Sequence, residues 1–76
     1  MRKLATEYAE LAYIRKNVKK FNATQMAEAI GKSTETYLRS ERGEREFTLS
    51  EAMRIAVFLE MPIDEVFPKI FKVNVA

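Results

Sequence analysis

The chain has no cysteine and no histidine among its 76 residues, and only two glycines and two prolines. Without cysteine there is no disulfide and no thiolate metal site. Without histidine the usual general base and the commonest metal ligand are both missing. Gly31 and Gly43 stand twelve positions apart, so no glycine-rich loop can cradle a phosphate. Asp64-Glu65 and the Glu44/Glu46 pair lack the spacing of a metal-binding loop. The longest apolar run, Ile55 to Leu59, is far too short to cross a bilayer. Met1-Arg2-Lys3-Leu4 looks like the start of a signal peptide, but Glu7 and Glu10 interrupt any apolar core. The expectation from these absences is a soluble cytoplasmic protein that is not an enzyme, with no cofactor, no metal and no place in a membrane.

What is present is a globular composition: 47% hydrophobic and 32% charged residues, with no low-complexity tract. A chain of this length makes one small domain. Such a domain buries only about 60% of the surface of its unfolded chain and is marginally stable alone. Dimerisation is a common remedy. The net charge of +2 is unevenly spread. Residues 1–32 carry seven basic and three acidic side chains, a net +4, and residues 33–76 carry six basic and eight acidic ones, a net −2. The amino-terminal part is therefore the one that attracts a polyanion. The five Phe, Tyr8 and Tyr13 are not interleaved with a basic stripe, so they read as core or dimer residues rather than as stacking platforms for single strands.

Hydrophobic spacing predicts five short helices. The first runs from about Thr6, its cap, to Lys19. Leu4, Tyr8, Leu11, Ile14 and Val18 make its apolar stripe. Phe21 closes the next loop as a core residue. Asn22, with Gln25 three positions on, predicts a capping box at the second helix. Met26, Ala27 and Ile30 form the inner face of that helix, and Gly31 ends it in a left-handed conformation. Ser33 caps the third helix, with Tyr37 and Ser40 inward, and Gly43 ends it. Thr48-Leu49-Ser50-Glu51 is a second capping box. It opens a fourth helix to about Leu59, with Leu49, Ala52, Met53, Ile55, Ala56 and Leu59 inward. Pro62 begins a short fifth helix, in which Val66 and Phe67 cover the core. In the tail, Phe71, Val73 and Val75 alternate with polar residues, a strand pattern that needs a partner.

Five helices, with the second and third joined by the turn Gly31-Lys32-Ser33, resemble the lambda-repressor-like (XRE-type) helix-turn-helix family. The resemblance covers about residues 8 to 67. It rests on Arg15 behind Ile14, Asn22 at the second cap, Ala27 at the close helix crossing and the Gly31/Ser33 turn. It rests equally on Glu41-Arg42-Gly43, Thr48, Ala56, Leu59 and Ile63-Asp64-Glu65-Val66-Phe67. Three features depart from the family pattern. Ala23 stands where the family often has a phosphate-binding Gln. The Lys19-Lys20-Phe21 loop is one residue longer than usual. Ser40 replaces a bulky core residue, and Phe47 is expected to fill the space it leaves.

The resemblance implies an all-α fold. Residues 1–67 form the DNA-binding domain, and residues 68–76 form a tail that is a candidate dimerisation strand. It implies a buried salt bridge between Arg15 and Glu41. It implies that Thr34, Glu35, Leu38 and Arg39 enter the major groove of double-stranded DNA. There Arg39 suits guanine, Glu35 suits cytosine N4, and Leu38 or the Thr34 methyl suits a thymine methyl. Phosphate contacts are expected from Lys19, Lys20, the helix start at Ala23 and Thr24, Lys32, Ser33, Arg42 and Arg45. The implied function is a transcriptional regulator similar to phage or mobile-element repressors and Cro-like proteins, working as a homodimer on a pseudo-palindromic operator. The tail strand, or exposed Val57 and Phe58, would form the dimer surface. The rival reading is a protein-interaction module on the same fold, an antirepressor or antitoxin-type partner of another regulatory protein.

Overall fold

The computed structural model describes residues 8–68. Five α-helices lie within them: α1 (Ala9–Tyr13), α2 (Ala23–Ile30), α3 (Thr34–Glu41), α4 (Leu49–Leu59) and α5 (Ile63–Val66). A π-helical segment, Ile14–Val18, continues α1. No strand occurs among the described residues. The expected cap at Thr6, Leu4 of the apolar stripe and the strand pattern in the tail lie outside the described residues. α2 packs on α3 and α4, α1 packs on α3 and α5, and α4 packs on α5.

The core is drawn from every helix. It contains Tyr8, Leu11, Ile14, Met26, Ala27, Ile30, Tyr37, Ala52, Ile55, Leu59, Val66 and Phe67, together with Phe47 from the loop before α4. Phe47 sits edge-on to Tyr8 at 5.2 Å and to Phe67 at 5.3 Å between ring centroids. Edge-to-face pairs of this kind add about 0.5–1.5 kcal/mol to the area they bury. The three rings close the end of the core where α1, α5 and the α3–α4 loop converge.

Local chemistry explains the helix boundaries. Asn22 Oδ1 accepts from the Gln25 N–H, and Gln25 Oε1 accepts from the Asn22 N–H, both at 2.8 Å. Thr48 and Glu51 repeat this reciprocal pattern at α4, at 3.0 and 3.1 Å. Ser33 Oγ accepts from the Thr36 N–H and starts α3. Gly31 (φ 71°) turns the chain out of α2 in the left-handed region that favours glycine. α4 ends without glycine: Glu60 takes φ 58°, and the Met61 N–H bonds back to the Ala56 carbonyl at 3.1 Å.

Val18, Leu49 and Met53, expected inward, are exposed, and the first helix changes its geometry midway. The first helix is not one α-helix to Lys19. Its second half widens, with the Lys19 N–H donating to the Ile14 carbonyl at 2.9 Å and the Phe21 N–H to the Arg15 carbonyl at 2.8 Å. Lys20 then adopts φ 58°. A π turn carries one residue more than an α turn, so the long Lys19-Lys20-Phe21 connection is absorbed by widening the helix. The same widening rotates Val18 away from Ile14, and it is 53% exposed. In α4, Leu49 and Met53 face solvent, at 62% and 53% exposure. The face set by Ala52, Ile55, Ala56 and Leu59 leaves Leu49, Met53 and Val57 in an i, i+4 row on the outside.

Candidate functional site

A buried polar cluster ties the end of α3 to the segment after α1. Arg15 Nε donates to Glu41 Oε2 at 2.8 Å, and its Nη2 donates to Glu41 Oε1 at 3.0 Å. Both side chains are less than a tenth exposed. The Tyr37 hydroxyl donates to Glu41 Oε2 at 2.8 Å, and Arg15 Nη1 donates to the Phe21 carbonyl at 3.3 Å. Burial, reinforced by the Glu41 charge, holds the Tyr37 hydroxyl protonated far above the ordinary tyrosine range. The hydrogen bonds that Arg15 donates to Glu41 raise its guanidinium above its ordinary value. Tyr37 therefore remains a donor and Arg15 a cation throughout the working pH range. The Tyr8 N–H adds a backbone bond to the Glu41 carbonyl at 3.3 Å. The carboxy-terminal turn of α3 is thus fixed both axially and in rotation.

With Tyr37 and Ser40 fully buried, the helical period directs Thr34, Glu35, Leu38, Arg39 and Arg42 away from the core. Glu35 and Arg39 are exposed, and Thr34 is half-buried. Leu38 is also half-buried and packs in part against the core, so only part of its side chain is open to a partner. The Thr34 and Thr24 hydroxyls lie 3.1 Å apart and join the amino-terminal turns of α2 and α3. That contact was not read from the sequence, where the two threonines are ten positions apart.

The expected phosphate-binding groups fall into two sets. Lys19, half-buried, and Lys20, exposed, precede the α2 start. At that start the capping box takes the N–H groups of Asn22 and Gln25, leaving those of Ala23 and Thr24 without an intrahelical acceptor. The Ala23 side chain is half-buried against the core. Lys32 and Ser33 are exposed in the turn before α3, and Arg42 is exposed at its far end. Arg45 differs from the rest. Its Nη1 donates to Ser40 Oγ at 2.7 Å and to Glu51 Oε1 at 3.0 Å, and its Nη2 donates to Glu51 Oε2 at 2.9 Å. The fork that was expected on phosphate is turned inward. It also supplies the partner that buried Ser40 needs, while Phe47 joins the aromatic end of the core.

Glu44 was read as part of a polar loop, and its role escaped the sequence. Gly43 adopts φ 85°, which turns the chain so that the Glu44 N–H donates to the Arg39 carbonyl at 2.8 Å. Its carboxylate then accepts from Arg42 Nε at 3.1 Å and Arg42 Nη2 at 3.4 Å, and lies 3.8 Å from Arg39 Nε. The hydrogen bond to Glu44 raises the Arg42 guanidinium above its ordinary value.

Among the described residues, no helix is long and apolar enough to cross a membrane. No curated protein matches the chain. Among solved structures, a transcriptional regulator from Listeria innocua has a similar fold, with a TM-score of 0.72 and 22% identity over 96% of this chain. This chain spans 66% of that one. The profile of a helix-turn-helix family matches residues 11–66, a stretch that holds the Arg15–Glu41 pair, both helices of the motif and α4. The chain belongs to the lambda-repressor-like (XRE-type) helix-turn-helix family, whose members are DNA-binding regulators rather than enzymes.

Proposed function

We propose that this protein is a sequence-specific regulator of transcription that inserts α3 into the major groove of double-stranded DNA. One observation carries the reading. The outer face of α3, with Thr34, Glu35 and Arg39 directed away from the core, lies beside the start of α2, to which the Thr24–Thr34 hydroxyl contact ties it. Arg39 takes the O6/N7 edge of a guanine, Glu35 accepts from a cytosine N4, and Thr34 and the open part of Leu38 touch a thymine methyl. Lys19, Lys20, the Ala23 and Thr24 N–H groups, Lys32, Ser33 and Arg42 bind phosphates on either side. Arg45, with its fork on Glu51 and Ser40, is left out of this set.

The protein acts in the cytoplasm as a repressor or Cro-like regulator. Two copies cover a pseudo-palindromic operator with half-sites ~34–36 Å apart and so occlude a promoter. Residues 1–67 are the DNA-binding unit, and residues 68–76 contribute to pairing of the copies. Exposed Val57 and Phe58 on α4 support a second contact between them. A protein-interaction module on the same fold is the alternative, favoured by Glu35 on the α3 outer face and Glu44 beside its arginines.

The test is a titration against random-sequence duplex at 50 and 200 mM salt, followed by selection of bound sequences from a random pool. A DNA reader loses affinity steeply with salt and yields a two-fold-symmetric selected site. Absence of binding at low salt refutes the proposal and leaves the interaction module.

A further inference from the structure

Glu44 divides the two exposed arginines at the end of α3, Arg39 and Arg42, into unequal roles, and this inference rests on the DNA-reading function proposed above. Its position is set by the backbone: the left-handed Gly43 and the Glu44 N–H bond to the Arg39 carbonyl bring it back over the end of the helix. Its carboxylate meets the two guanidinium groups differently. Arg42 is gripped along its side edge, through both Nε and Nη2. Arg39 comes closest to it through Nε, at 3.8 Å, beyond hydrogen-bond distance. A guanidinium drawn toward a carboxylate on its Nε side, without a hydrogen bond to it, keeps its Nη1/Nη2 end free, and that end forms the fork that matches guanine O6 and N7. A guanidinium held along Nε and Nη2 has already spent one bidentate edge on a carboxylate, the chemical competitor of a phosphate.

We propose that Glu44 is a specificity-determining residue: it steadies Arg39 for base reading while competing with DNA phosphate for Arg42. A negative charge beside the groove-facing helix weakens binding to any duplex. On the correct site that loss is offset, because the base contact of Arg39 is the one Glu44 leaves open and oriented. The net effect is to widen the gap between cognate and random DNA at the expense of total affinity, which is a form of selection against wrong partners.

The test compares the full chain with Glu44→Gln, which is close in shape and uncharged, on the selected duplex and on random duplex across a salt series. On random duplex, Glu44→Gln binds roughly two- to fivefold tighter, the scale of one exposed ion pair. Its log–log salt slope steepens by about 0.9, the signature of one more phosphate neutralised. On the selected duplex, affinity is unchanged or weaker, so the specificity ratio falls. In an Arg42→Gln background the change of slope disappears. Equal tightening on both duplexes overturns the proposal, because Glu44 would then be a general repulsive charge. Unchanged binding to random duplex overturns it as well. Failure of the unsubstituted chain to bind any duplex overturns the DNA-reading function itself, a result distinct from either of these.

Discussion

Replacing Arg15 by alanine tests the buried cluster that holds α3 in position. The wild-type pair is bidentate at 2.8 and 3.0 Å, and both side chains are nearly sealed from solvent. Removing the guanidinium takes away both of those bonds and the one to the Phe21 carbonyl. Of these side-chain bonds, Glu41 keeps the one from the Tyr37 hydroxyl, which accounts for one acceptor oxygen. A carboxylate stripped of its cation in a buried site typically costs ~3–5 kcal/mol. At ~0.05–0.15 kcal/mol per residue, a domain of this length has roughly 4–11 kcal/mol in total. The substitution therefore removes about a quarter or more of the stability. Each 1 kcal/mol moves the melting temperature of so small a domain by roughly 4–8 °C, so the fall exceeds about 12 °C. Thermal and urea melts followed by circular dichroism measure it. The double variant Arg15→Met/Glu41→Met is the control. With no stranded charge it recovers part of the loss, the remainder being the buried Tyr37 hydroxyl left without its Glu41 acceptor. A shift below about 2 °C for Arg15→Ala, or a double variant no better than the single one, refutes the reasoning.

Arg39→Ala costs ~1–3 kcal/mol on the selected site and relaxes preference at one base pair; an equal loss on every sequence would make Arg39 a phosphate contact instead. Gly31→Ala costs about 1–2 kcal/mol by chemical denaturation, all of it from the left-handed backbone, because an added Cβ meets nothing within 4 Å. Gly31→Asn costs less, and equal costs for the two would refute this account. Glu51→Gln keeps the acceptor of the α4 capping box but loses the ion pair with Arg45, at about 1 kcal/mol near neutral pH. The Glu51 carboxyl is held below its ordinary value by Arg45 first and by the Thr48 N–H as well. Its contribution is thus full above pH ~5 and fades as the pH falls through 4.5 and below. Denaturation of wild type and variant across that range should converge at the acid end, and a constant gap would contradict the shift.

Local signals made most of the fold legible. Both capping boxes, the left-handed Gly31 and the buried faces of α2 and α3 follow from side chains within four residues of each other, where helix geometry decides who meets whom. The failures are equally physical. Leu49 and Met53 look inward because apolar residues are counted without knowing which stripe wins. On α4, Ala52, Ile55, Ala56 and Leu59 win, and the rest of an apolar helix faces out. The π turn was visible as one residue too many before Asn22, but not the way the chain would absorb it. At the site, the α3 outer face is a matter of period and was readable. Its polar neighbours were not. Thr24 with Thr34, Arg45 with Glu51 and Glu44 with Arg42 all form across a turn or between helices, and no propensity encodes them.

Those unread contacts share a consequence. A helix that reads base edges must be fixed in rotation, because ten or twenty degrees about its axis carries its side-chain tips out of productive geometry. In α3 three side chains of one helical stripe are committed inward: Tyr37 and Glu41 to the Arg15 cluster, and Ser40 to Arg45. Each commitment reaches a different element, the π segment after α1 in one case and, through Glu51, α4 in the other. Two independent anchors on one face define the angle at which the opposite face is presented. Arg45 belongs to this frame, so its loss would act on DNA binding by loosening α3, without removing a phosphate contact. The salt slope separates the two cases: a phosphate ligand changes it and an anchor does not. On the function proposed above, the buried charges of the domain aim α3 and the exposed ones meet the polyanion, with Glu44 standing between the two sets.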